Sequence, residues 1–256
     1  MYYFLQSLLS DKKGGEIFTC FSLWHIFYVV LAILAVAGIL LILKNKPKEI
    51  QKKVPRIIIG IAFGLYVADF FLMPLAYGEI DIEKLPFHAC TSTCVLCFLS
   101  YRVKFLARFR PTFVLLGFIS NLVYLIYPAG VMWHAVSPLS YRVVQTLVFH
   151  AVMTVFGLTV FVYESEEFSL KNWRFDLLIT ACLILWALLG NYVYNGTRGE
   201  YSHFFNWFFV IRDPFNIFPQ SVAPFIMPFL NLALFFSVET VLRWLIYTVK
   251  TRKTND

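Results

Sequence analysis

Seven side chains stand out chemically against an otherwise apolar chain: Asp69, His88, Cys90, Arg142, His150, Asn191 and Asn231. A thiol in the first turns of a helix meets amide donors and the positive end of the helix dipole, which favour thiolate. An imidazole titrates near neutrality and serves as a general base. In Leu85-Pro86-Phe87-His88-Ala89-Cys90 the proline suits the first turn of a helix, so Cys90 falls within its first two turns. Helix positions two apart point about 200° apart, so His88 and Cys90 cannot both face one cavity squarely. His150, from another helix, is therefore the expected base for Cys90. Such a pair attacks an ester carbonyl, with Asp69, Asn191 or His88 orienting the imidazole or donating to the oxyanion. Arg142, Thr146, His150 and Thr154 recur every four residues and share a helix face. On that face Arg142 either anchors an anionic headgroup or snorkels to the interface. Asn231 adds a polar group from the last helix.

Composition says what surrounds these residues. Of 256 residues, 59% are hydrophobic and 14% charged, with mean hydropathy +0.70. A soluble domain carries about 25% charged residues, so a soluble enzyme is excluded and lipid is the expected solvent. The net charge of +7 sits in short patches between apolar runs, which argues against nucleic acid as a partner and for membrane lipids. Five cysteines are an odd number and mostly lie in apolar stretches, so no disulfide scaffold is expected. Cys90, Cys94 and Cys97 on one apolar helix read as packing residues; no metal and no cofactor is expected. No lysine lies inside an apolar window, which excludes a retinal Schiff base, and there is no Gly-rich phosphate loop.

Seven windows are apolar enough to span: Leu23 to Leu43, Ile57 to Tyr77, Leu85 to Tyr101, Thr112 to Val131, Arg142 to Val162, Arg174 to Tyr194 and Pro224 to Tyr247. Continuous rather than alternating runs predict helices. The expected fold is all-α, a polytopic seven-helix bundle forming a single transmembrane domain over residues 1–256. Fifteen of the 22 basic residues, including Lys44 to Arg56, Arg102 to Arg110 and Lys250 to Lys253, fall on one side. The positive-inside rule then puts the N-terminus outside and the C-terminus in the cytoplasm of a cell (plasma) membrane protein. With that orientation most of the seven polar residues lie within roughly 12 Å of the outer boundary, around one outward cavity. The aromatic stretch Asn195 to Ala223 and the start, Tyr2 to Leu9, read as interfacial or re-entrant pieces. Asn195-Gly196-Thr197 is a glycosylation sequon. Glu239 and Arg243, four apart, read as an intrahelical ion pair near the cytoplasmic interface.

The Leu85 to Cys90 stretch resembles the third-span opening of the YwaF-like bacterial integral membrane proteins. Tyr141-Arg142-Val143-Val144-Gln145, Phe149-His150 and Asn191-Tyr192 extend that resemblance over most of the chain. Phe87 and Ala89 stand where the bacterial pattern has leucines. That family is distantly similar to eukaryotic ether-phospholipid acyltransferases and androgen-induced hydrolases of fatty-acid esters. The resemblance implies a Thr or Cys nucleophile near one helix start, with Cys90 the matching residue, and a later histidine, matched by His150. The leading expectation is an enzyme transferring or hydrolysing lipid acyl chains. A transporter or lipid-binding receptor is the second, with Pro219, Pro224 and Pro228 breaking the last helix at a binding site. A non-catalytic assembly subunit is the third.

Overall fold

A computed structural model describes residues 16–78, 80–132, 135–196, 205–214 and 216–255. All regular structure among them is helical. The amino-terminal piece Tyr2 to Leu9 and the Thr197 to Phe204 part of the aromatic stretch lie outside the described residues. The helices are α1 (Leu23–Leu43), α2 (Lys48–Tyr77), α3 (Ala89–Ser100), α4 (Lys104–Ala107), α5 (Arg110–Ile126), α6 (Ala129–Met132), α7 (Tyr141–Tyr163), α8 (Trp173–Gly196) and α9 (Ala223–Asn255). The chain divides into two compact units, Met1–Ile82 with Ser120–Glu164, and Glu83–Ile119 with Ser165–Asp256.

Six helices among the described residues are long and apolar enough to cross a membrane. The third window differs from expectation. Pro86 and the extended backbone of His88 delay its helix to Ala89, and it ends at Ser100. Twelve residues at about 1.5 Å each cover about 18 Å, short of the roughly 30 Å hydrocarbon core. The second helix is longer than its window: the basic stretch from Lys48 is itself helical and Pro55 lies inside it. Gly78 closes that helix at φ 81°, a left-handed cap that residues with a Cβ rarely adopt, and its amide bonds to the Pro74 carbonyl. The last helix is not broken at its prolines. Pro224 sits in its first turn, where no amide is needed, and Pro228 lies inside one continuous helix.

In the first unit α7 packs against α1 and α2. Phe18, Ala32, Leu125, Val131, Val143 and Leu147 form a buried cluster there. Helix α1 is apolar nearly all round, and its only buried residues are His25, Ala32 and Leu43. Side chains tie it down at both ends. Phe21 N–H donates to His25 Nδ1 at 3.0 Å, so Nε2 carries the proton and donates to the Leu125 carbonyl at 2.8 Å. Tyr28 donates to the Pro138 carbonyl, and Tyr163 of α7 to the Leu40 carbonyl, each at 3.0 Å.

In the second unit α8 packs against α9. Phe87 stacks on Trp186 and leans on Trp207, each with ring centroids 4.8 Å away. Gly190 of α8 faces that ring so closely that a Cβ would overlap it. With Phe87 held by two indoles, Gly190→Ala is expected to cost about 1–3 kcal/mol. Thermal unfolding in detergent checks this, with Gly60→Ala, where a Cβ meets open space, as the control.

Candidate functional site

Three of the seven residues belong to the first unit. His150 is 4% exposed on α7. Its Nδ1 lies 2.7 Å from the Thr146 carbonyl. A carbonyl only accepts, so Nδ1 holds the proton and the neutral ring keeps its lone pair on Nε2. Tyr124 stacks on the imidazole at 3.9 Å and 13°, and Phe149 meets it edge-on at 5.2 Å. The ring is therefore fixed in tautomer and plane. The backbone does this, because at Thr146 it is the carbonyl, four residues back, that accepts.

Asp69 on α2, 1% exposed, accepts the Tyr141 hydroxyl at 2.7 Å. The next residue, Arg142, pairs with Asp81 at 3.0 Å and lies over the Tyr77 ring at 4.6 Å. The first turn of α7 is thus anchored to α2 and the segment after it. Arg142 thus has an internal counter-ion in Asp81.

The other four residues belong to the second unit. Cys90 is half-buried at the second helical position of α3. Thr91, Ser92 and Thr93 spend their hydroxyls on the carbonyls of His88, Pro86 and Ala89 at 3.2, 2.7 and 2.6 Å. Cys94 and Cys97 are fully buried and pack the interior of this unit.

His88, Asn191 and Asn231 converge on residues 205–209. Asn191 accepts Trp207 N–H at 2.9 Å and donates to the Trp207 carbonyl at 3.0 Å. One helical turn on, Asn195 does the same for Phe205, at 2.8 and 2.9 Å. Two amides on one face of α8 thus stand in for a neighbouring strand. Asn231 donates to the carbonyls of Phe208 and Phe209 at 3.1 and 3.0 Å. Phe208 N–H points at His88 Nδ1 at 3.5 Å. Loss of solvation pushes His88 down to about 4, partly offset by Glu83, so it stays neutral and able to accept.

Phe208 and Phe209 have φ of 60° and 53°, a costly backbone for aromatic residues that this set of clamps holds in place. Trp207 is 1% exposed and stacks on Phe205 at 4.6 Å. The described part of the aromatic stretch is therefore folded into its unit. The sequon's Asn195 is half-buried and serves that fold.

The sequence reading missed a second polar cluster in this unit. Arg243 of α9, 1% exposed, donates through Nε to Asp176 Oδ2 at 2.6 Å and through Nη2 to Oδ1 at 2.5 Å. Thr112 donates to Asp176 Oδ1 at 2.7 Å, and Arg243 Nη1 reaches the Ser169 carbonyl at 3.3 Å. Glu239 instead accepts from Thr180 at 2.9 Å. The expected Glu239–Arg243 ion pair gives way because the planar guanidinium finds a two-point partner across the helix interface. The available signal was Asp176, an acid in the first turn of an apolar window.

These buried polar groups in two helical units, among six helices able to cross a bilayer, describe a multi-pass membrane protein. No curated protein and no solved structure matches the chain. The family match is not to the YwaF-like proteins: residues 20–248 match the TMEM164 family, and the chain belongs to that transmembrane family.

Proposed function

We propose that this protein transfers or hydrolyses the acyl chains of membrane lipids, with Cys90 as nucleophile and His150 as proton acceptor. The observation that carries the reading is the fixed tautomer of His150, which leaves Nε2 basic on a buried, stacked ring. Nε2 takes the thiol proton as the sulfur bonds to the ester carbonyl carbon. The ester C–O bond then breaks and the leaving alcohol takes that proton from the imidazolium. The resulting thioester passes its acyl group to a second alcohol or to water. A cysteine thiol of ordinary acidity is mostly protonated at neutral pH, which gives the base its task.

The basic patches on one side favour seven membrane-embedded segments with the N-terminus outside, in the plasma membrane, working on outer-leaflet lipid. A second reading, a proton-coupled transporter, draws on the buried Asp176, Arg243 and Glu239, since two-sided access needs polar groups in both halves.

Membranes containing the protein, given a phospholipid radiolabelled in its acyl chain, test the first reading. The wild type is expected to carry a hydroxylamine-labile acyl group that Cys90→Ala lacks. His150→Gln is expected to slow acyl turnover by about 10²–10⁴-fold. Unchanged acylation and turnover in both variants overturns the mechanism.

A further inference from the structure

We propose that Glu239 is a proton-binding site in the buried interior of the second unit, a neutral carboxylic acid at neutral pH set beside a closed Asp176–Arg243 ion pair. The site is independent of the Cys90 and His150 chemistry.

Position comes first. Glu239 lies sixteen residues into the span Ala223–Thr251 and twelve from its end. At about 1.5 Å per residue those are about 24 and 18 Å, so Glu239 stands well inside the helix rather than at either end. The side chain is 0% exposed. Its Oε2 accepts from Thr180 at 2.9 Å, while its Oε1 is buried with no hydrogen-bond partner. A carboxylate half-solvated by one hydroxyl at this depth is among the costliest arrangements a membrane protein can hold. Protonation removes the charge and leaves one O–H to accommodate.

Charge balance points the same way. Arg243, one turn further along α9, is the cation beside Glu239, and its donors go to Asp176, Thr112 and the Ser169 carbonyl. Asp176 is the second acid, from α8, and Arg243 balances it. An ionised Glu239 leaves the cluster with one uncompensated negative charge, whereas a protonated one leaves it neutral. The turns packed against α9 bring Glu166, Glu167 and Lys171. Glu167 pairs with Arg110 at 3.5 Å, Lys250 reaches the Glu166 carbonyl at 3.5 Å, and Lys171 is exposed. Trp207–Phe209, also packed against α9, contributes no titratable side chain.

Thr180 fixes which oxygen holds the proton. A hydroxyl donating to Oε2 makes that atom the carbonyl and puts the hydrogen on Oε1.

Infrared spectroscopy of the full-length protein in lipid nanodiscs at neutral pH tests this. The wild type is expected to show the C=O stretch of a protonated carboxyl, and the band should move when glutamate is labelled with carbon-13. Glu239→Gln should lack the band. Thr180→Val, which removes the hydrogen bond to Oε2 and keeps the carboxyl, should retain it at higher frequency. Absence of the band in the wild type, or its persistence in Glu239→Gln, overturns the proposal. An unmoved band in Thr180→Val overturns the assignment of the proton to Oε1.

Discussion

Arg243→Met is expected to destabilise the protein by about 3–5 kcal/mol. The cost comes from Asp176, which is 0% exposed and loses both guanidinium bonds, so that a buried carboxylate stands without its counter-ion. Thr112 continues to donate one hydrogen bond, which does not offset a charge. Arg243→Met combined with Asp176→Leu is expected to recover most of the loss, because an apolar pair of similar volume removes the charge as well as the contact. Thermal unfolding of the wild type, the single variant and the double variant in one detergent decides it. A double variant no more stable than Arg243→Met shows that the Asp176 charge is not the cause.

Asn191→Leu is expected to cost about 2–4 kcal/mol and to loosen residues 205–209 ahead of the rest of the chain. Both bonds to Trp207 are backbone bonds in a buried setting, and leaving each group unsatisfied costs about 1–3 kcal/mol. The strained Phe208 and Phe209 then relax, since the clamp on the adjoining Trp207 is gone and Asn231 and His88 are the side-chain hydrogen bonds left to them. Hydrogen exchange of the Phe205 to Phe209 amides measures this. Exchange as slow as in the wild type shows that Asn191 is not a principal clamp.

The sequence made the membrane-embedded, all-helical character legible because apolar runs and sparse charge are properties of composition and length. It overestimated the third helix, since hydropathy over Leu85 to Tyr101 does not register that Pro86 and the extended His88 withhold the first turn. It also recognised Asp69, His88, Asn191 and Asn231 as polar groups that must face something, which they do. What they face was not legible. A side chain's partner is set by tertiary packing, and the partners of His88, Asn191 and Asn231 are backbone atoms of a segment more than a dozen residues away or farther. The one feature that pointed there was Asn191 and Asn195 at four-residue spacing above an aromatic stretch. Arg243 was misassigned for a related reason: spacing along α9 favoured Glu239, while the bidentate geometry of a carboxylate on α8 prevailed. For His150 the sequence supplied the residue and the structure supplied the tautomer, through a carbonyl that no side-chain pattern reveals.

The sparse fastening of α1 bears on how the chain is assembled. A helix apolar on nearly every side is stable in lipid before anything touches it, so its insertion and its association with α7 are separate steps. His25 and Tyr28 near one end and the Leu40 carbonyl near the other act as latches engaged only in the second step. Each latch releases its polar group to water at the bilayer boundary more readily than a mid-membrane contact would.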